Sequence, residues 1–193
     1  SDIAFVVNIL VSDTSTSTLS NLSPCCNNIV WISLLISFNS YAQNNSDNLK
    51  NAEIYISVGK YKEALNILKN LETLPTKENA KRDYLLGKLY FALGKYNKAN
   101  EFFDLAALAD SEEHKYLVGL AESYFALGKL KIAKSNAIFA IRSDPDLIEA
   151  QLILAKINAT LGNQKEALNR FEELKLLQPS NENIILNYAK LLE

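Results

Sequence analysis

Apolar side chains recur every three or four residues along most of the chain after residue 45. Two such runs are Leu85, Leu86, Leu89, Tyr90 and Leu93, and then Leu117, Leu120, Tyr124 and Leu127. This spacing places the apolar groups on one face of an α-helix. The pattern therefore predicts a succession of amphipathic helices.

A glycine follows each apolar run, and the residues after it repeat. The motif Gly59-Lys-Tyr-Lys-Glu-Ala64 recurs as Gly94-Lys-Tyr-Asn-Lys-Ala99, Gly128-Lys-Leu-Lys-Ile-Ala133 and Gly162-Asn-Gln-Lys-Glu-Ala167. The four glycines lie 35, 34 and 34 residues apart. Glycine accepts a positive φ cheaply, so each one is expected to end a helix and reverse the chain. A fixed period of this length predicts stacked helix-turn-helix units.

The register of these units resembles the tetratricopeptide repeat (TPR) family, whose unit has 34 residues. With each glycine at repeat position 15, the family's small residue at position 8 falls on Ala52, Gly87, Ala121, Ala155 and Ala189. Its aromatic residue at position 11 falls on Tyr55, Tyr90 and Tyr124, its alanine at position 20 on Ala64, Ala99, Ala133 and Ala167, and its proline at position 32 on Pro145 and Pro179. The resemblance covers residues 45–193 and implies an all-α, right-handed α-solenoid.

This register divides the array into units 45–79, 80–113, 114–147 and 148–181 and a final helix, 182–193. Local departures are Asn48, Asp83 and Gln151 at position 4, Asn158 at position 11, and one extra residue near Pro75. We expect the helices to approach most closely at seven of these alanines: Ala52, Ala64, Ala99, Ala121, Ala133, Ala155 and Ala167. Asp144 and Ser180 are expected to cap the first helices that follow them.

Residues 1–44 differ in composition from the rest, because they contain no Lys or Arg and are rich in Ser, Thr and Asn. The apolar run Ile29 to Phe38 and the small residues before Gln43 resemble a secretory signal peptide with cleavage after Ala42. The absence of a basic segment before the run counts against this interpretation. The alternative is a buried helix or strand that packs on the first repeat. A run of ten residues is too short for a membrane-spanning helix, so we expect no stable membrane span.

Charge and composition narrow the range of functions. All 20 Lys and Arg lie at or after Lys50, and with Asp2 and Asp13 set aside 20 acidic residues remain, so residues 45–193 carry no net charge. A neutral array predicts no nucleic-acid partner. The adjacent Cys25 and Cys26 form no metal-ligand pattern, and the only histidine, His114, has no nearby nucleophile and is expected to be a solvated helix-end residue. We therefore expect no enzyme activity, cofactor or metal.

In TPR arrays the first helices line a concave face on which ligands usually lie. Carried over by repeat position, the resemblance implies partner-binding residues Tyr84, Lys88, Phe91, Lys115, Val118, Glu122, Phe125, Leu152 and Lys156. The aromatic ones are either anchors for a partner or packing residues between neighbouring helices. The family's chaperone-tail clamp is absent, because positions 5 and 9 lack its Lys and Asn set.

The resulting functional prediction is a scaffold that binds a protein or peptide on its concave face. If residues 1–44 direct export, the protein acts in the bacterial periplasm or envelope, in assembly or secretion; otherwise it is cytoplasmic. Two alternatives stay open. One is a non-catalytic, substrate-holding segment of a larger enzyme such as a glycosyltransferase or peptidase. The other is a homo-oligomer that stacks through Ile185, Tyr188 and Leu192.

Overall fold

The computed structural model describes residues 43–71 and 74–192, and this part of the chain is entirely helical apart from its turns. The predicted leader lies outside the described residues, apart from its last two, and so does the proposed cleavage site. The helices are α1 (43–57), α2 (Tyr61–Asn70), α3 (Thr76–Ala92), α4 (Tyr96–Ala109), α5 (Lys115–Ala126), α6 (Leu130–Ser143), α7 (Ile148–Thr160), α8 (Gln164–Leu177) and α9 (Glu182–Leu192). The all-α repeat fold predicted from the sequence is confirmed.

The four repeat glycines end the first helix of each pair in the predicted way. Gly59, Gly94, Gly128 and Gly162 have φ values of 76°, 70°, 72° and 81°. Most other residues would be strained there, whereas glycine is not. The backbone then reverses, and the next helix begins two residues later.

Seven alanines at the repeat positions are fully buried, as expected, whereas Ala189 in α9 is exposed. Ala52, Ala64, Ala99, Ala121, Ala133, Ala155 and Ala167 all have an exposed fraction of 0%. They lie in successive apolar clusters between the helices. The short side chains allow the backbones to approach closely, so the core is a row of small interfaces and not one central core.

Helix contacts show which face is concave. Among α2 to α9, each helix packs against its chain neighbour, and first helices also pack against the next first helix: α3 on α5, α5 on α7, and α7 on α9. Over the same helices no two second helices touch each other. Because the array is tighter on the side of α3, α5, α7 and α9, these helices line the inner face of its curve.

Two capping predictions are wrong. The residue that caps α7 is Leu147, with no side-chain hydrogen bond, and Asp144 instead accepts a bond from the backbone N–H of Asp146 at 3.1 Å. At α9, Asn181 and not Ser180 is the cap, because its Oδ1 accepts bonds from the N–H groups of Asn183 and Ile184 at 3.1 and 3.4 Å. Proline at the start of each turn moves the capping position further along the chain than the sequence pattern indicated.

The departures from the repeat pattern have local partners. Asn158, at the usual aromatic position of the fourth unit, is 2% exposed, and its Oδ1 accepts a hydrogen bond from Lys134 Nζ at 3.0 Å. Asp83 pairs with Arg82 at 2.9 Å. These polar residues are accommodated by hydrogen bonds where the family usually has apolar contacts.

Candidate functional site

The first helices place a row of charged side chains along the concave face. Lys88, Lys156 and Lys190 occupy the same repeat position in α3, α7 and α9, and Glu53 and Glu122 occupy it in α1 and α5. Lys81 and Lys88 both approach the carboxylate of Glu53, at 3.8 and 4.0 Å. These are long, half-exposed pairs, so they hold the side chains only weakly.

Glu122 lies in the middle of this row and is largely removed from water. Burial raises the pKa of its carboxyl, Lys156 and Lys88 oppose that rise, and Glu149 adds to it. Because burial affects the pKa more than the two lysines do, the lysines compensate the charge of Glu122 only in part. The centre of the concave face therefore holds a carboxylate that is harder to ionise than an exposed one.

Tyr84 is an interhelical packing residue. Its ring centroid lies 5.0 Å from that of Tyr116 and 5.6 Å from that of Phe103, and both rings are tilted against it. Lys88 Nζ and Lys115 Nζ lie 5.7 and 5.9 Å from its centroid. Burial is the main cause of the raised pKa of Tyr84. The ring fills the joint between α3, α4 and α5, and the two ammonium groups above it form the accessible surface.

The other implied site residues differ in their surroundings. Val118 is 5% exposed and belongs to the core, so it lines no open surface and we remove it from the contact set. Phe91 and Leu152 are half-buried; the ring of Phe91 lies 5.2 Å from that of Tyr96, and Leu152 packs against the cluster under α9. Lys115 pairs with Glu113 at 3.0 Å. Phe125 and Lys156 are also half-buried, and both line an opening on the concave face.

Phe125 and Lys156 line a pocket of about 320 Å³ between α7 and α9. Its apolar wall is formed by Phe125, Ala159, Phe171 and Leu191, and its polar wall by Lys156, Thr160, Asn187 and Lys190. The volume is at the lower end of the range for ligand pockets, which is about 300–1,000 Å³. The pocket can hold one large side chain but no extended molecule.

Sequence reasoning missed Asn187 and Lys190, although a signal existed. When the repeat register is continued into α9, Lys190 falls on the same position as Lys88 and Lys156. The repeat register alone did not show how α9 packs. In the structure, Lys190 faces α7 across an opening. That arrangement depends on Ile184, which is fully buried against the cluster containing Phe171.

His114 differs from its expected solvated state. It is half-buried, and its Nδ1 is buried without a hydrogen-bond partner among the described residues. No cluster of three or more potential metal-ligating His, Cys, Asp or Glu residues occurs within residues 43–71 and 74–192. None of the helices in these ranges is both long and apolar enough to cross a membrane.

Comparison with solved structures shows the same fold in several TPR proteins. A structure described as a functional characterisation of Pseudomonas aeruginosa pilF matches with a TM-score of 0.67 at 18% identity, over 78% of this chain and 68% of that one. YrrB, described as a TPR protein with an unusual peptide-binding site, matches at 0.57 and 21%, over 80% and 81%. The first TPR of Spaghetti (RPAP3), bound to an HSP90 peptide, matches at 0.56 and 23%, over 60% and 94%. At these identities the likeness concerns the fold.

A curated relative matches part of the chain. The human protein O-mannosyl-transferase TMTC1 is 23% identical over 125 residues, which are 65% of this chain and 13% of that protein. The chain thus spans only about an eighth of the length of this relative. The match concerns a small part of a much longer protein.

The family comparison covers more than half of the chain. The model of the SusR N-terminal TPR domain matches residues 31–135. Together with the structural matches, it confirms the TPR resemblance and the helical-repeat fold of the described array. The chain belongs to the family of SusR N-terminal TPR domains.

Proposed function

We propose that the concave face binds a protein or peptide partner, and that the charged row and the pocket beside α9 are its contact surface. The observation that carries this proposal is the lysine set Lys88, Lys156 and Lys190, repeated at one position on one face. Tyr84 and Phe91, which the resemblance also implied, act mainly by packing. Charge therefore sets the register of the partner, and Phe125 supplies an apolar contact.

A pair of charge-reversed variants tests this proposal. The first changes Lys88, Lys156 and Lys190 to Glu on the concave face. The second changes Lys62, Lys131 and Lys165 to Glu; these exposed lysines share one repeat position on the second helices. Both variants alter the net charge equally, and they place the change on different faces of the array.

The full-length chain and both variants are used to capture proteins from the native host. We expect a protein retained by the wild type and by the second-helix variant to be lost from the concave variant. Circular dichroism confirms that all three are folded. Loss from the second-helix variant alone would place the contact on the other face and contradict the proposal.

We further propose that this binding takes place in the cell envelope. The support is the apolar run Ile29 to Phe38 followed by Ala42 and Gln43. N-terminal sequencing of the protein purified from its host tests it. A chain that starts at Gln43 supports export, whereas a chain that retains the apolar run contradicts cleavage.

The alternative function is a substrate-holding segment of a larger enzyme. The observation that favours it is the match to a short part of an O-mannosyl-transferase. In that case the capture experiment should retain the same partner through the same face, but the partner should be modified by a catalytic domain on the same polypeptide in the host. The size of the native gene product separates this alternative from a free scaffold.

A further inference from the structure

The pocket between α7 and α9 combines an apolar floor with a rim that carries two lysines. Phe171, in its floor, is 1% exposed, and Phe125, Ala159 and Leu191 complete the apolar side. None of the described residues that line the pocket is acidic, and two of them are lysines. The pocket therefore favours an apolar group that has negative charge beside it.

The two other polar side chains at the rim form hydrogen bonds within their own helices. Thr160 donates its hydroxyl hydrogen to the carbonyl of Lys156 at 2.9 Å, and Asn187 donates its amide to the carbonyl of Asn183 at 2.6 Å. Lys156 and Lys190 form no ion pair within 4 Å with the described residues, in contrast to Lys81 and Lys88 on the same face. Their ammonium groups can therefore receive a partner's carboxylates without first breaking a close pair.

Resting on the concave-face function proposed above, we infer that this pocket binds an acidic segment of a partner protein through one apolar side chain flanked by carboxylates. A volume of about 320 Å³ accommodates a leucine-sized group. The two lysines lie on neighbouring first helices, one on each side of the opening. The apolar side chain provides most of the binding free energy, and the carboxylates select the acidic segment.

Three short peptides, acetylated and amidated to remove their terminal charges, serve as probes. Their sequences are Asp-Glu-Leu-Glu-Asp, Asp-Glu-Ala-Glu-Asp and Lys-Lys-Leu-Lys-Lys, each with the same fluorescent label. Binding to the full chain is measured by anisotropy at low and at moderate ionic strength. We expect the acidic leucine peptide to bind about tenfold more tightly than the alanine peptide, and the basic peptide not to bind. Added salt should weaken the binding.

Matched variants assign the effect to this pocket. Lys156→Glu with Lys190→Glu should weaken the acidic leucine peptide by at least about tenfold, whereas Lys131→Glu with Lys165→Glu should change it little. Thr160→Phe places a ring in the pocket from an exposed position, and should bring the leucine and alanine peptides to similar affinities. Circular dichroism verifies that each variant is folded.

Equal affinities for the leucine and alanine peptides, binding that survives the double reversal, or no binding of any peptide would each overturn the inference. These results are distinct from failure of the concave-face proposal. If the captured host protein is lost from the triple concave variant while no acidic peptide binds, the concave face is the contact surface and the pocket assignment is wrong.

Discussion

At the residue scale, one phenylalanine packs tightly between two glycines. Phe103 in α4 is 1% exposed, and its ring faces Gly87 of α3 and Gly119 of α5. A Cβ added at Gly87 would lie 2.5 Å from the ring, and one at Gly119 would lie 2.6 Å from it. The two glycines therefore make room for the ring on both sides.

We predict that Gly87→Ala destabilises the protein despite its helical position. Alanine in place of glycine within a helix ordinarily gains up to about 1 kcal/mol, but overpacking a core costs about 1–3 kcal/mol. The cost of overpacking should exceed the gain in helix propensity, so denaturant unfolding should show a lower free energy of unfolding than for the wild type. In a Phe103→Leu background the cost of Gly87→Ala should shrink. A free energy of unfolding that rises in Gly87→Ala would contradict this packing.

The buried carboxyl of Glu122 predicts a stability difference that depends on pH. Burial raises its pKa above the usual 4.5, so the folded state binds the proton more tightly than the unfolded state does. Its contribution to stability is therefore fully present below the unfolded-state pKa and is lost as the pH rises through the folded-state pKa.

We predict that Glu122→Gln raises the melting temperature relative to wild type at pH 8 and changes it little at pH 4. The amide keeps the shape of the side chain without its charge. Comparing the two proteins at each pH removes the contribution of the other carboxylates. If Glu122→Gln raised the melting temperature more at pH 4 than at pH 8, the result would contradict the burial argument.

At the element scale, α9 is held by one face and exposed on the others. Ile184 is fully buried, whereas Ile185 is 40% and Leu192 61% exposed. The Tyr188 hydroxyl donates a hydrogen bond to Glu172 at 3.0 Å, and Lys175 Nζ lies 5.3 Å from the Tyr188 ring. The helix is thus docked on α8 by Ile184 and Tyr188, and it positions Lys190 beside the pocket.

We predict that Ile184→Ala loosens α9 and that its neighbour Ile185→Ala does not. Truncation of a buried isoleucine costs about 2–5 kcal/mol, and truncation of a half-exposed one costs less than about 1 kcal/mol. Because a terminal helix contacts only its neighbours, the loss should show as faster amide hydrogen exchange in α9. Equal protection of α9 in the two variants would contradict the docking described above.

The sequence predicts the end of a helix well when one residue determines it, and less well when several residues do. The end of each first helix is predicted because one glycine with positive φ determines it. The starts of α7 and α9 are predicted wrongly. The proline turn before each of these helices shifts the capping residue past Asp144 and Ser180. Capping depends on the course of several consecutive peptide groups, which a pattern of residue types does not specify.

At the scale of the whole molecule, the repeat period predicts the fold, whereas residue types alone do not show which implied contact residues stay accessible. The period is informative because every unit must bury its apolar face against the next. Tyr84 was implied as a partner contact, but its ring packs on Tyr116 and Phe103 of the neighbouring helices. Lys190 was missed because its place beside Lys156 depends on how α9 docks. Packing between units determines which repeat positions remain open.

The most direct test of the central claim is site-specific photo-crosslinking in the native host. A photoreactive residue replaces Lys88 or Lys156 on the concave face, and Lys131 or Lys165 on the second helices in the control chains. If the concave face is the contact surface, the same partner should crosslink at positions 88 and 156 and not at 131 or 165. Crosslinks to a common partner from 131 and 165, with none from 88 and 156, would contradict the account.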